Sequence, residues 1–575
     1  MERISFRNSE LAVLVIAAIA GAFGGACVWA LSSVAAVLHG LLFRLLPGER
    51  VSELASLGSP LHALWPAAGG VLVGLTLYAQ RLFRSRPVVD AVEANALHGG
   101  KMDLRESCVL TGQNLLSNGF GASVGLEAGY TQIASALAAS LGARANLRRN
   151  LQRYAVASGA GGAIAAAFGA PLVGAAYAFE AVLGAYTIDA LAPVALASLV
   201  GSLTSRTLGA APHALAIPPD AVGASDFALA AVISIACAVI GIAVMRGAGV
   251  IERAVNRYGI PLYVGPTLGG LVIGALALAS PIVLGAGHHA LEVAVVAGLP
   301  LAAALTLLAL KSAAAIVSVG SGFRGGLFFA SLLIGSLVGS ACHSVFFGYG
   351  VVPPGHGDIA ALAGMAAGGA AIIGTPMTMA MLALAMADQV SGAGPTILAV
   401  SLATILVRRF FGYSFSTWRL HLRGESIRGA QDIGWVRDMT VGKLMRMDFK
   451  SISDAATIGE VRTAFPAGTA NVIMLVDEFG GYHGLVDLAD AHAAWANDSE
   501  PVATLARLAQ TSLSPQMSVK AAAKTFEDAG SDTLAVTSPI DRRVLGYLNE
   551  AYLLRRYAEE LDRRHNEALG IARTD

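Results

Sequence analysis

The sequence predicts an all-α polytopic membrane domain built from broken helices, followed by a soluble α+β tail. Only 14% of the 575 residues are charged and 55% are apolar, with a mean hydropathy of +0.63. Soluble domains usually carry about a quarter charged residues. Apolar runs of about 20 residues, the length that crosses a hydrocarbon core, recur along the chain up to Val407. After Gly424 charges return at ordinary density and no run is long enough to span.

The candidate spans are apolar runs rich in glycine and alanine. They cover residues 11–43, 61–80, 155–179, 181–205, 227–245, 264–284, 325–357, 359–387 and 391–407. Proline interrupts several of them, at Pro171, Pro281 and Pro376. This composition favours closely packed, broken helices over simple straight spans. The first run is interpreted as a span and not as a signal peptide, because further spans follow it.

Charge gives the orientation and excludes one class of partner. Four arginines precede the soluble tail: Arg408, Arg409, Arg419 and Arg423. The positive-inside rule therefore places the tail in the cytosol and predicts a protein of the inner membrane. The balance of 39 basic and 39 acidic residues argues against nucleic-acid binding. The cysteines lie far apart, which suits neither a zinc site nor a disulfide framework, so we expect no metal and no cofactor. They are Cys27, Cys108, Cys237 and Cys342.

The tail contains one pattern twice. Residues 457–465 have helical spacing and 471–476 strand spacing, and residues 519–529 and 533–537 repeat this order. Each copy is predicted as helix, strand, turn, strand and helix. We therefore divide the chain into a membrane domain over 1–424 and two modules over 425–497 and 498–575.

The most informative membrane segment is GFGASVGLEAGYTQ, residues 119–132. It carries a single carboxylate, Glu127, in a stretch otherwise free of charge. An ionisable group at membrane depth costs about 2.5 kcal/mol or more and is a functional candidate by default. Glycines before it allow the backbone to approach a ligand closely and to start a helix there. Glu127 is predicted to act as the gate and the proton acceptor.

A second segment mirrors the first about 200 residues later. Gly326-Leu327-Phe328 stands where Gly125-Leu126-Glu127 stood, again before an apolar helix rich in small residues. Paired glycine-led helix starts in two halves are typical of the central site of an inverted-repeat transporter. Free N–H groups and the helix dipole make each start attractive to anions. The two starts are therefore predicted to bind an anion between them without a buried lysine or arginine.

These motifs resemble those of the CLC chloride channel and chloride–proton antiporter family. Gly125-Leu126-Glu127-Ala128-Gly129, ending in Gln132, resembles the family's Gly-Arg/Lys-Glu-Gly-Pro motif, and Gly326-Leu327-Phe328-Phe329-Ala330 resembles Gly-X-Phe-X-Pro. Residues 168–174, leading to Glu180, are similar to its Asn-Ala-Pro-Leu-Ala-Gly helix. The resemblance covers roughly residues 10–425. It implies a CLC-like inverted repeat, a homodimer and transport of chloride.

Two departures from the family concern anion selectivity. Where the family has Gly-Ser-Gly-Ile-Pro, this chain has Phe83-Arg84-Ser85-Arg86-Pro87, so Ser85 is the substitute for the anion-contacting serine. The family's anion-contacting tyrosine falls at Phe415, with Tyr413 as second choice. With neither hydroxyl assured, we expect the site to accept anions other than chloride.

A third departure concerns protons. The resemblance places the inner proton-passing glutamate of coupled members at Ala181, directly after Glu180. Glu180 lies about 100° around the helix from that position and is an imperfect stand-in. The sequence leaves open a passive, voltage-gated channel and a proton-coupled antiporter.

The tail resembles a tandem CBS pair, through segments such as NVIMLVDEFGGYHGLVDLADA. Such pairs imply interlocked modules, a dimer contact and in some cases an adenine-nucleotide pocket. The ribose-binding aspartate positions hold Asp487 and Asp490 in the first module, but Asn549 and Tyr552 in the second. We therefore expect at most weak binding of an adenine nucleotide.

The sequence fits two other classes of function less well: a magnesium channel and an intramembrane enzyme. A CBS-regulated magnesium channel would need several acidic residues in its spans, because magnesium is held by carboxylates and water. An intramembrane enzyme would need a motif such as His-Glu-X-X-His or Gly-X-Ser-X-Gly, and the spans have none. We therefore predict no enzyme, but a lipid-embedded transporter of chloride or a similar small anion.

Overall fold

The computed structural model describes residues 10–46, 49–54, 56–83, 88–210, 215, 222–296, 299–351, 353–387, 392–422, 439–493 and 495–568. The chain divides into two compact units, Met1–Asp432 and Ile433–Asp575. The predicted join at 424/425 falls within residues 423–438, outside the described residues.

The first unit is helical throughout the part that the structure describes. Its helices are α1 (Glu10–Phe43), α2 (Trp65–Leu82), α3 (Ala91–Leu97), α4 (Leu104–Gly119), α5 (Glu127–Arg144), α6 (Arg149–Phe168), α7 (Pro171–Tyr177), α8 (Ile188–Thr207), α9 (Ala224–Arg257), α10 (Gly265–Ala279), α11 (His288–Val296), α12 (Leu301–Gly320), α13 (Phe328–Gly348), α14 (Gly357–Ile373), α15 (Pro376–Ala387), α16 (Ala393–Phe410) and α17 (Phe415–Leu422). A π-helical turn, Ala178–Leu183, continues α7. Seven helical segments among the described residues are long and apolar enough to cross a membrane.

The predicted broken helices are present. Run 155–179 is divided between α6 and α7, because Gly169 adopts a left-handed φ of 65° and Pro171 starts the next helix. Run 359–387 is divided in the same way, with a φ of 83° at Gly374 and with Pro376 starting α15. A left-handed glycine ends a helix at little cost, and proline suits the first turn of a helix, where its missing N–H is not needed.

Besides the short helices α3, α11 and α17, three long helices were not among the predicted runs. Polar residues interrupt α4 and Glu127 starts α5, whereas α12 carries Lys311 near its middle. Lys311 is fully buried, and its Nζ donates to the carbonyls of Gly285 at 2.8 Å and Val283 at 3.4 Å. A search for charge-free runs overlooks α12 because Lys311 interrupts its apolar run. The charge is buried nonetheless, because backbone carbonyls surround it.

Small residues allow the helices of this unit to approach closely. A Cβ atom on Gly335 of α13 would collide with the backbone carbonyl of Gly364 in α14, and one on Gly339 with that of Ala360. In a membrane such contacts replace the hydrophobic effect as the source of helix association.

The second unit is the predicted α+β tail. Its helices are α18 (Val441–Leu444), α19 (Ile458–Ala464), α20 (Leu488–Ala491), α21 (Val519–Ala529) and α22 (Glu550–Ala568). Strand β1 (Ser451–Ser453) is parallel to β2 (Val472–Val476), which is antiparallel to β3 (Tyr482–Asp487). Strands β4 (Thr533–Thr537) and β5 (Val544–Asn549) form an antiparallel pair.

The two proposed modules exchange their leading segments. Helix α18, from the first module, packs into a buried cluster with Leu513, Val519 and Phe526 of the second. Val502, from the second module, packs with β2 and β3 of the first, and its N–H donates to the carbonyl of Ala456. Each module therefore completes the hydrophobic core of the other.

Candidate anion site

The two glycine-led helix starts meet. Gly125 and Gly326 form an isolated antiparallel bridge, in which the Gly125 N–H donates to the Gly326 carbonyl at 2.9 Å and the reverse bond is 3.5 Å long. Residues 201 apart in sequence are thus joined directly in front of α5 and α13. The predicted convergence of the two mirrored segments is present in the fold.

Serines tie the preceding loops together in the same two-fold manner. The N–H of Ser123 donates to Ser318 Oγ at 2.9 Å, and the N–H of Arg324 donates to Ser117 Oγ at 3.1 Å. The same offset of 201 residues relates Ser117 to Ser318 and Ser123 to Arg324. The hydrogen bonds repeat because the two halves of the unit repeat.

Helix α4 adds a brace that α12 lacks. The fully buried Asn114 donates from Nδ2 to the carbonyls of Gly125 at 2.9 Å and Arg324 at 3.1 Å. Asn118 Nδ2 donates to the carbonyl of Val124 at 2.7 Å. These amides hold the polar backbone of both loops, which would otherwise lie unpaired in an apolar interior.

Neither helix start is capped by a side chain of its N-cap residue. The N-cap residues, Leu126 of α5 and Leu327 of α13, make no capping hydrogen bond through their side chains. The first N–H groups of both helices point towards the space between the starts without a capping side chain, and the two helix dipoles favour negative charge there. The N–H of Phe329, in the first turn of α13, interacts with the carboxylate of Glu127.

The Glu127 carboxylate itself lies in the space between the two starts. The residue is only 4% exposed, and no group of the described residues hydrogen-bonds to Oε2. The carboxylate folds back over Gly125, where a Cβ atom would overlap it. The side chain of Glu127 therefore occupies the place where two helix starts favour negative charge.

Aromatic rings surround the α13 start. Phe328 lies 5.1 Å from Phe168 and 6.0 Å from Tyr177, measured between ring centroids. Phe329 stacks on Phe168 at 5.9 Å. The wall of the site opposite Glu127 is therefore largely apolar.

A cavity of about 510 Å³, here called the vestibule, lies beside α7 and its π-helical turn. Tyr177, Glu180, Ala181 and Tyr413 line it, together with Thr375 and Ser414. Both carboxylate oxygens of Glu180 are engaged at the start of α15. Oε1 accepts from the N–H of Met377 at 2.9 Å, and Oε2 accepts from the N–H and hydroxyl of Thr378 at 2.8 and 2.7 Å.

The two candidates for the anion-contacting tyrosine lie in different surroundings. Phe415 is buried in a cluster with Leu327 of the α13 start. Tyr413 stacks on His421, and its hydroxyl lies 3.3 Å from His421 Nδ1. Ser85, the candidate serine, lies outside the described residues.

Sequence reasoning missed Asn114 and Tyr177. A signal for Asn114 existed, because Ser107, Thr111, Asn114 and Asn118 recur at three- or four-residue spacing, which places polar groups along one face of a helix. No comparable signal marked Tyr177, whose place follows only from the packing of α7 against α13. In the described parts of the chain, no group of three or more His, Cys, Asp or Glu residues could hold a metal ion.

The tail has a cleft of its own, about 690 Å³ in volume. Arg446, Lys450 and Arg555 line it, as do Asn549 and Tyr552. Asn549 is engaged locally, because Oδ1 accepts from the N–H of Tyr552 at 3.3 Å and Nδ2 lies 3.5 Å from Thr533 Oγ1. In the first module Asp487 caps α20, and Asp490 pairs with Arg507 at 2.9 Å.

Comparisons with known proteins agree with this fold. The chain is 29% identical over 336 residues to a ClcB-like chloride channel protein of Ralstonia nicotianae, covering 56% of this chain and 77% of that one. A slow cyanobacterial Cl−/H+ antiporter superposes with a TM-score of 0.62 at 20% identity, over 72% of this chain and 97% of the other. A eukaryotic CLC transporter superposes with a TM-score of 0.59 at 18% identity, over 94% of this chain and 98% of the other.

The last of these alignments extends into the α+β tail, so the predicted fold is confirmed as a CLC-like membrane domain followed by a tail resembling a CBS pair. The family profile described as voltage gated chloride channel matches residues 69–408, which include both helix starts, the π-helical turn and most of the residues that line the vestibule. The chain is therefore a multi-pass membrane protein that belongs to the voltage-gated chloride channel (CLC) family.

Proposed function

We propose that this protein carries chloride or a similar small anion across the inner membrane through the site between the starts of α5 and α13. The observation that carries the proposal is the bridge from Gly125 to Gly326, with its 2.9 Å hydrogen bond, because it brings two uncapped helix starts together. Free N–H groups can replace part of the water lost by an entering anion. Membership of the family supports transport over enzymatic activity.

Glu127 is the gate in this proposal. When ionised, its carboxylate competes with the transported anion for the same helix starts. When protonated, it loses that attraction and can leave. Its burial, its interaction with the N–H of Phe329 and its unpaired Oε2 support this role.

Proton coupling is proposed to be weak or absent. Ala181 lines the vestibule but cannot hold a proton. Glu180 lines the same cavity, yet both its oxygens are used at the start of α15. Exchange remains the competing outcome, because the cyanobacterial neighbour is an antiporter.

The tail is proposed to lie in the cytosol and to stabilise a homodimer more than to sense adenine nucleotides. Arg408 and Arg409 end α16 shortly before it, as the positive-inside rule requires of a cytosolic segment. The tail has no cysteine of its own, so labelling of a cysteine introduced there, in intact and in opened cells, tests the orientation. Labelling from outside intact cells would contradict it.

Flux measurements on purified protein in liposomes test the transport proposal. Chloride efflux is followed together with proton movement, for the wild type, Glu127→Gln and the control Glu106→Gln. Glu106 is also buried but lies on α4, where Gln80 donates to it at 3.4 Å. We expect Glu127→Gln to lose the pH response of flux and the control to keep it.

Three outcomes would contradict parts of the proposal. Absence of anion flux in the wild type would overturn the function itself. An unchanged flux and pH response in Glu127→Gln would remove the gate assignment. A reversal potential that follows the pH gradient in a fixed anion-to-proton ratio would make the protein an exchanger.

A further inference from the structure

Neither described candidate for the family's anion-contacting tyrosine offers its hydroxyl to the proposed anion site on the vestibule side. Phe415, where the family has a tyrosine, offers no hydroxyl, and Tyr413 is stacked on His421 with its hydroxyl beside that ring. Helix N–H groups can contact an anion from the α5 and α13 side only. An ion leaving water gains from a further donor on the opposite side, because hydrogen bonds to charged groups are the strong ones.

Tyr177 lies on the vestibule side of the α13 start and carries a hydroxyl group. It is the last residue of α7, directly before the π-helical turn. Its ring meets the ring of Phe328, the first residue of α13, edge-on at 6.0 Å. The same side chain lines the vestibule beside Ala181 and Thr375. Tyr177 therefore forms part of the boundary between the vestibule and the α13 start.

The Tyr177 hydroxyl is also available. Among the residues that the structure describes, no hydrogen bond to it is found, although its electrostatic neighbours include the carboxylates of Glu127 and Asp90. Asp90 caps α3, three residues after the segment 84–87 in which the family's serine would stand. The phenol of Tyr177 is thus within electrostatic range of both the proposed gate and Asp90.

The other tyrosines of the vestibule differ in this respect. Tyr186 is 63% exposed and its hydroxyl interacts with Glu180. Tyr413 contacts His421, Phe411 and Trp418 through its ring. Of the three, Tyr177 is the one whose ring packs against the α13 start.

We propose that the hydroxyl of Tyr177 donates a hydrogen bond to the transported anion on the vestibule side of the site. It takes the place of the family's serine and tyrosine donors, and it determines the affinity of this site for halides. The inference rests on the proposed function, since it names a ligand of the same site.

Chloride binding to the purified full chain tests this inference by isothermal titration calorimetry. Tyr177→Phe keeps the ring and its packing and removes only the donor, so the variant is expected to fold. We expect chloride to bind roughly 10- to 100-fold more weakly, the loss of one hydrogen bond to a charged group. Tyr186→Phe serves as the matched control and is expected to bind chloride as the wild type does, and Tyr413→Phe is measured beside it as the competing candidate.

A second readout separates donation from packing. Tyr177→Phe is expected to reduce the flux of chloride relative to the bulkier, more weakly hydrated thiocyanate, while thermal unfolding stays unchanged. Wild-type affinity in Tyr177→Phe, or the loss appearing in Tyr413→Phe instead, would overturn the inference and leave the proposed function intact. Absence of chloride binding and flux in the wild type would overturn both.

Discussion

The starts of α5 and α13 share a backbone and differ in their side chains. Gly125 and Gly326 hydrogen-bond to each other, and each loop is held by a serine of the opposite half. The next positions diverge, because α5 begins with Glu127 and α13 with Phe328. The comparison teaches that the repeated backbone brings the two helix starts together, whereas the unrepeated side chains give one start a carboxylate and the other an aromatic ring.

The largest effect is expected from the two glycines, which are equivalent in the backbone but not in their surroundings. A Cβ atom on Gly125 would collide with the Glu127 carboxylate alone, whereas one on Gly326 would find its nearest neighbour, Ala128 Cβ, at an ordinary 3.6 Å. The far end of a flexible side chain can move aside. Gly125→Ala is therefore expected to displace the gate and reproduce the pH-independent flux of Glu127→Gln.

Gly326→Ala is the matched control and is expected to keep the wild-type pH response. Liposome flux between pH 4.5 and 7.5 measures both variants. Equal behaviour of the two would mean that the carboxylate does not rest over Gly125 in the closed protein.

The next effect concerns the brace that only one half has. Asn114→Ala leaves the carbonyls of Gly125 and Arg324 without their 2.9 and 3.1 Å donors, whereas the position equivalent to Asn114 in α12 is Ala315. An unsatisfied buried polar group costs about 1–3 kcal/mol. We expect a lower thermal unfolding midpoint and weaker anion binding. Cys108→Ala, an exposed change on the same helix, should alter neither.

A smaller effect is expected where the two modules of the tail differ. In the turn between β2 and β3, Asp477 accepts from the N–H groups of Gly481 at 2.7 Å and Phe479 at 2.8 Å. In the turn between β4 and β5, Asp541 accepts from the N–H of Arg543 at a longer 3.4 Å. The bond from Gly481, followed by that from Phe479 and the nearby His483, lowers the pKa of Asp477 below its ordinary value.

A lowered folded-state pKa means that Asp477 stabilises the tail above its unfolded-state pKa. This contribution is lost as the pH falls through the lower, folded-state pKa. Asp477→Asn is therefore expected to increase hydrogen exchange in the β2–β3 hairpin of the full chain at pH 7 and to reduce its acid sensitivity. Asp541→Asn should change its own hairpin less. A larger change from Asp541→Asn would contradict the comparison.

The smallest effect is expected from adenine nucleotides. The cleft of the tail carries Arg446, Lys450 and Arg555, which suit phosphates, but the ribose positions hold Asn549 and Tyr552. A ligand at 100 times its dissociation constant adds about 2.7 kcal/mol of stability. We expect no shift of that size with ATP, ADP or AMP, measured by calorimetry on the full chain. Saturable binding to the cleft, abolished by Arg555→Ala, would make the tail a nucleotide sensor.

Patterns of neighbouring residues predicted the features of the fold that depend on neighbouring residues. The helix starts at Gly125 and Gly326, the breaks at Pro171 and Pro376, and the strands of the tail all follow from nearby residues. Contacts across the chain were not predictable in this way. The bond from Asn114 to Arg324 joins positions 210 apart, and nothing near either one announces the other.

The same limit applies to Lys311 and Tyr177. In the sequence, the charge of Lys311 indicates the end of a span. In the structure, the carbonyls of residues 283 and 285 accept hydrogen bonds from it inside the helix bundle. Tyr177 reads as one aromatic residue of an apolar helix, until the packing of α7 places it against Phe328. The surroundings of both residues are formed by helices that are distant in sequence. They can therefore be seen only in the assembled structure.

The bridge between Gly125 and Gly326 also constrains how the chain assembles. The N–H of Gly125 donates to a carbonyl 201 residues further along, so during synthesis the first half exists for some time without its partner. Until then, the loop before α5 has unpaired backbone groups that the hydrocarbon core cannot satisfy. These groups must remain in contact with water or with the insertion machinery. The first half therefore reaches its final depth in the membrane only after the second half has been inserted beside it.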